Sequence, residues 1–231
     1  MENERFSTKL LGTIVTDDFR AAEVFKEAGI DFCCGGKKTL EEACREKGID
    51  TGLLVDKLKE LDLRPSVPGH NFNEWELGFL ADYIVNTHHK YVLKTLPELV
   101  FYTAKIATVH GEHHPELIEV ASLFGQINTE LLQHMEKEEK VLFPAIKTAV
   151  GGNTPEAKAI ISSEISRMSG EHEFAGGAMD KINILTFGYL LPSDACNTYQ
   201  VALKLLNQFE DDLHIHVHLE NNILYPKALS L

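Results

Sequence analysis

His134-Met135-Glu136-Lys137-Glu138, followed by Leu142-Phe143-Pro144, returns 82 residues later as His216-Val217-His218-Leu219-Glu220, followed by Leu224-Tyr225-Pro226. Both copies read His-x-x-x-Glu and then Leu-aromatic-Pro. Residues four apart share one face of a helix, so each copy can aim one imidazole and one carboxylate at a single point. Two further histidine stretches extend the pattern: Asn86-Thr87-His88-His89, and Gly170-Glu171-His172-Glu173 with His172 placed 83 residues after His89. The third helix thus echoes the first as the fourth echoes the second.

Working outward, four long helices are expected, from about 73 to 110 with a bend at Pro97, from Pro115 to Gly151-Gly152, from Thr154-Pro155 to near Gly188, and from Ser193 to Leu229. Proline at a first turn and glycine past an end are ordinary helix punctuation. Short breaks between long helices are the pattern of an antiparallel four-helix bundle. No convincing strand alternation occurs, so the chain reads as all-α. Residues 1–64 read as a small helical domain. Thr16-Asp17-Asp18 can cap a helix through FRAAEVFKEA that ends at Gly29, Thr39 and Glu42 form a capping box for a helix closed by Gly48, and a third helix covers Thr51 to Leu63. Arg64-Pro65-Ser66-Val67-Pro68-Gly69 reads as a linker, setting the division at 1–64, 65–70 and 71–231.

Any single His-x-x-x-Glu is most simply a solvated helix face. Two copies with the same tail point to something else. Buried imidazoles and carboxylates need a charge partner, a hydrogen bond or a metal. Four histidines and two glutamates converging from four helices satisfy one another poorly without cations, and a nitrogen and oxygen donor set without thiolate suits an iron pair. His88 and His89 point about 100° apart on a helix, so both cannot face the same pair. We take His89, with His88 as the alternative. No histidine has a glutamate three residues before it, so the Glu-x-x-His ligand pair of ferritin-like proteins is missing.

The net charge of −13 and the absence of a basic stripe argue against nucleic acid or anionic membrane as partner. No apolar run approaches membrane-spanning length, and the N-terminus lacks a basic-then-apolar leader. The four cysteines, Cys33, Cys34, Cys44 and Cys196, do not make a secreted disulfide framework, and a cytoplasmic location is expected.

With these residues in place, the chain resembles the Repair of Iron Centres family of bacterial di-iron proteins, also called iron-sulfur cluster repair proteins. The resemblance spans nearly the whole chain and includes the Asp31-Phe32-Cys33-Cys34-Gly35-Gly36 signature and a hemerythrin-like bundle. It implies iron ligands at His89, His134, Glu138, His172, His216 and Glu220, holding two irons as an oxo- and carboxylate-bridged centre. It also implies repair of iron-sulfur clusters damaged by oxidative or nitrosative stress, through donation of iron. Damaged iron-sulfur proteins would then be the partners, with nitric oxide or dioxygen as small ligands and a homodimer left open. The alternatives are a di-iron enzyme that reduces nitric oxide, peroxide or dioxygen, and a hemerythrin-like sensor or carrier.

Cys33 and Cys34 form the second candidate site, as redox or iron-transfer thiols. Their glycines permit a sharp turn, and the N-terminus of the helix capped by Thr39 would favour thiolate. Cys44 and Cys196 read as structural. His110, His113 and His114 read as exposed turn residues, Glu171 or Glu173 as a partner of a ligand, and Trp75 and the phenylalanines as core.

Overall fold

The computed structural model describes residues 6–62, 71–152 and 154–231. Among them no strand forms. The helices are α1 (Leu11–Asp17), α2 (Ala21–Glu27), α3 (Leu40–Lys47), α4 (Thr51–Asp62), α5 (Leu77–Ile84), α6 (Lys90–His110), α7 (Glu116–Lys137), α8 (Phe143–Gly152), α9 (Pro155–Leu185), α10 (Asn197–Leu219) and α11 (Tyr225–Leu229). The fold is an all-α antiparallel bundle preceded by a small helical domain. No helix among the described residues is long and apolar enough to cross a membrane. By packing, the chain divides into two compact units, residues 1–80 with Val217–Ser230, and Ala81–His216. The expected linker at 65–70 lies outside the described residues.

Three of the long helical runs are widened by one π-turn each, at Val85–His89, Glu138–Leu142 and Glu220–Leu224. In the latter two, the N–H of Phe143 bonds back to the carbonyl of Glu138 and that of Tyr225 to the carbonyl of Glu220. Pro144 and Pro226 come next. In a regular α-helix each proline would lack a donor and press its ring on the carbonyl four residues back. The widened turn removes that conflict, and such turns concentrate at functional sites. The Leu-aromatic-Pro repeat is therefore the local cause of an irregularity that starts at each repeat glutamate. The bend expected at Pro97 does not interrupt α6, which runs through it.

In the second unit, α7 packs against α6 and α9, and α9 also packs against α8. Their buried positions recur at three and four: Val92, Leu96, Leu99 and Ile106; Leu117, Val120, Phe124, Ile127 and Leu131; Ile161, Ile165, Met168, Ala175, Met179 and Ile182. Leu206, Phe209 and Leu213 of α10 complete the apolar fill, with the ring of Phe209 edge-on to Phe124 at 5.4 Å. Each such large side chain contributes about 1.5–3 kcal/mol on burial. Thr154 caps α9 by accepting the N–H of Ala157, ahead of Pro155.

In the first unit, Leu11, Val15, Phe25, Ile30, Phe32, Leu40, Cys44, Leu54, Val55 and Leu58 form the core. The capping box of Thr39 and Glu42 is present in both directions, and Gly48 closes α3 at φ 67°, a left-handed conformation that glycine adopts freely. One expectation holds in part. Thr16 and Asp17 belong to the unforeseen helix α1, whereas Asp18 follows it and its carboxylate accepts the backbone N–H of Arg20 at 3.0 Å, at the entry to α2, as well as the Arg20 guanidinium. The aromatic expectation also holds only in part. Phe25 and Phe124 are core, whereas Trp75 is half-buried against Phe72 and Phe79, and Phe79, Phe101 and Phe187 are exposed.

Candidate metal centre

In the second unit, four helical runs bring imidazoles and a carboxylate to one buried place. His89, at the end of the first π-turn, has Nε2 3.3 Å from Glu138 Oε2. His134, in the last turn of α7, has Nε2 3.2 Å from the same oxygen. His172 of α9 brings its Nε2 to 2.9 Å from His134 Nε2. His216 of α10 places its ring 4.9 Å from that of His89. Ligand-type atoms of His89, Glu138 and His216 lie within 4.8 Å of one another. All five residues are buried, with at most 1% exposure. Glu220 is equally buried and stands one helical turn beyond His216 on the same unbroken run.

Carboxylates outside this cluster set the imidazoles' roles. Glu139 Oε1 accepts from His89 Nδ1 at 2.8 Å, and Glu171 Oε2 accepts from His134 Nδ1 at 2.8 Å. Lys137 also binds Glu171. The bond to His134, helped by Lys137, pulls the Glu171 pKa down to about 2. With each Nδ1 carrying the donated proton, each Nε2 presents a lone pair inward. Two Nε2 lone pairs then face the Glu138 oxygen at 3.2–3.3 Å. Electron-rich atoms gathered in a buried space repel one another unless a cation sits among them. A single proton on the Glu138 oxygen could satisfy only one of the two Nε2 lone pairs that face it, and the His134–His172 contact has room for one proton at most. The donor set therefore fits metal ions, and carboxylates on the outer nitrogens of ligand histidines are the usual companions of such sites.

His88 is also buried but turns elsewhere. Its Nδ1 meets Asp212 Oδ1 at 2.9 Å, and its ring stacks on His216 at 5.6 Å. Phe143, the aromatic residue of the repeat signature, stacks on His89 at 5.7 Å. The signature thus supplies both the proline of the widened turn and a wall beside the site. Sequence reasoning anticipated a partner at Glu171 but missed Glu139 and Asp212. Glu139 adjoins an expected ligand, and that adjacency was the available signal.

The second candidate site lies in the first unit. Asp31 accepts the backbone N–H groups of Cys33, Cys34 and Gly35 at 2.9, 3.0 and 2.8 Å. Cys33 Sγ lies 3.1 Å from Asp31 Oδ1 and 3.9 Å from Cys34 Sγ, too far for a disulfide. Asn222 Nδ2 donates to the carbonyl of Cys33 at 3.1 Å. His218, edge-on to Phe32 at 5.6 Å, is fully buried, which lowers its pKa to about 4. The surroundings of Cys33 work against the expected thiolate. Its bond to Cys34, its burial and the nearby Asp31 carboxylate push the thiol's pKa well up. The thiol whose pKa is lowered is instead that of exposed Cys196, which the sequence reading took as structural. His110 Nε2 lies 3.1 Å from its sulfur and, with N–H groups of Tyr199 and Thr198, brings its pKa down to about 7. Cys44 is buried, as a packing residue should be.

Comparison with known proteins now bears on this geometry. Residues 7–62 match the family described as Domain of Unknown function (DUF542), and residues 80–228 match the hemerythrin HHE cation binding domain. The iron-sulfur cluster repair protein YtfE of Pectobacterium carotovorum subsp. carotovorum (strain PC1) is 36% identical over 222 residues, covering 95% of this chain and 96% of the relative. Its counterparts in Musicola paradisiaca (strain Ech703) and Yersinia pestis (strain Pestoides F) are each 35% identical, with 97% of this chain covered. An N-terminal cysteine-pair domain, a hemerythrin-type bundle and similarity along nearly the full length place the chain in the Repair of Iron Centres family, the iron-sulfur cluster repair proteins.

Proposed function

We propose that the chain holds two irons on His89, His134, Glu138, His172, His216 and Glu220 and repairs iron-sulfur clusters damaged by oxidative or nitrosative stress by donating that iron. The observation that carries the reading is the buried convergence of Nε2 lone pairs on Glu138, with Glu139 and Glu171 fixing the outer nitrogens. Glu220 supplies the second carboxylate one turn past His216. The iron pair provides a labile, redox-active cargo, while the protein residues bind it, exclude water and keep the imidazoles neutral and oriented. Residues 71–231 form the metal-binding part and residues 1–64 carry the thiols Cys33 and Cys34, which pass the iron on. Damaged iron-sulfur proteins of a bacterial cytoplasm are the clients.

The test is to mix iron-loaded protein with a cluster enzyme inactivated by peroxide or nitric oxide, following enzyme activity and labelled iron together. Recovery that tracks iron transfer supports donation. Steady consumption of nitric oxide, peroxide or dioxygen over many turnovers, without loss of iron, would establish the enzymatic alternative. Reversible dioxygen or nitric oxide binding with neither would mark a carrier or sensor.

A further inference from the structure

We infer that Asp31, Cys33 and Cys34 form a metal site of their own, which takes one soft divalent cation on two thiolates and a carboxylate. Ligand atoms of the three residues lie within 4.8 Å of one another. The spacing is informative. A tetrahedral ion with metal–sulfur bonds of ~2.3 Å has a sulfur–sulfur edge of about 3.8 Å. Cys33 Sγ and Cys34 Sγ are 3.9 Å apart. A disulfide needs about 2.05 Å and distorts the peptide between adjacent cysteines. The sulfur–oxygen edge of the same tetrahedron is about 3.5 Å, and Cys33 Sγ to Asp31 Oδ1 is 3.1 Å. Small shifts would therefore complete the site.

The loop is held in shape before any ion arrives. Three backbone N–H groups fix the Asp31 carboxylate, and Asn222 holds the Cys33 carbonyl from the other side. Close approach of Asn222 requires glycine at 36, where a Cβ would fall 2.3 Å from its Oδ1. Cys33 is buried whereas Asp31 and Cys34 are half-exposed, leaving an accessible side for a fourth donor. Thiolate donors select iron(II), zinc or cobalt over magnesium and calcium. On binding, each thiol releases its proton to solvent, the cation gains two sulfur bonds and one oxygen bond, and no electron moves. The site deepens the delivery reading above, because a thiol pair that passes iron on must first hold it. Its test uses no repair reaction, so the two can fail separately.

Cobalt(II) added to full-length, iron-loaded protein should produce a near-ultraviolet thiolate-to-cobalt charge-transfer band that saturates at one ion per chain. Cys33→Ser and Cys34→Ala should each abolish the band, with helical circular dichroism and bundle iron unchanged. Asp31→Asn should weaken cobalt binding by at least the roughly tenfold that loss of an outer partner costs. Cys196→Ser should leave the band intact. Wild-type protein without a charge-transfer band would overturn the assignment. So would a band that survives both Cys33→Ser and Cys34→Ala, or one that vanishes with Cys196→Ser. A normal cobalt band alongside no iron transfer to a damaged client would keep the site and remove the delivery role.

Discussion

Glu171→Ala separates an oriented metal site from a merely polar core. The carboxylate touches no proposed iron position. It accepts from His134 Nδ1 at 2.8 Å and binds Lys137. Without it, His134 can rotate or exchange its ring proton, and its Nε2 lone pair is no longer committed to Glu138 3.2 Å away. Removing an outer partner of a ligand histidine typically lowers metal affinity about 10–100-fold, or ~1.4–2.7 kcal/mol. The lower half of that range is expected, because the Glu171 side chain is 18% exposed and water can replace part of its bond. Ferrous protein titrated with a chromogenic chelator gives the affinity directly. Glu173→Ala is the control, since Glu173 is exposed on the same turn. Glu171→Gln keeps an acceptor at the same reach and should recover most of the loss. Equal iron retention in wild type, Glu171→Ala and Glu173→Ala would refute the claim that Glu171 orients a ligand, and with it the assignment of His134.

His134→Ala, Glu138→Ala and Glu220→Ala should each lower iron content by metal analysis while His113→Ala does not; full loading of all four variants would place the metal elsewhere. Alkylation of Cys196 should rise with pH through a midpoint near 7, and His110→Ala should move that midpoint up toward the ordinary value of 9, because the imidazole bond is the largest cause of the lowering. An unmoved midpoint in the variant would show that His110 does not set the thiol. Gly36→Ala places a Cβ 2.3 Å from Asn222 Oδ1 and 2.9 Å from the Phe32 carbonyl, which should cost about 1–3 kcal/mol. Gly125→Ala, in the interior of α7 with open space around it, should instead stabilise by up to about 1 kcal/mol, and thermal melting of the pair decides both. Changing Cys33 and Cys34 together to Ser should leave bundle iron intact and slow its transfer to a client; equal transfer rates would exclude the thiols from delivery.

What could be read ahead of the structure, and what could not, divides along a physical line. The bundle was legible because burial in a helix repeats every three to four residues, and the inward imidazoles stood out against that period at His134, His172 and His216. The cap at Thr39 was legible because side-chain capping is local chemistry, and the start of α9 was marked by Pro155 at its first turn. Helix α1 escaped because its residues, LGTIVTD, offer no acidic first turn and no side-chain cap, and its apolar face is explained only by what it packs on. Asp212 escaped for a similar reason: it meets His88 across 124 residues, a distance that no spacing rule spans, whereas Glu139, which meets His89 across 50 residues, had its place beside Glu138 as a signal. The π-turns are the instructive case. Regular helix geometry puts His88 and His89 on separate faces, and by that rule only one belongs inside. The widened turn at Val85–His89 buries both, one turned to Asp212 and the other to Glu138. No proline follows that turn closely, whereas Pro144 and Pro226 follow the other two. The repeat therefore encoded two of the three irregularities in its last residue. A reading that takes proline as the origin of a wide turn, as well as a mark of a helix end, would have placed Glu138 and Glu220 at the start of those turns from the sequence alone.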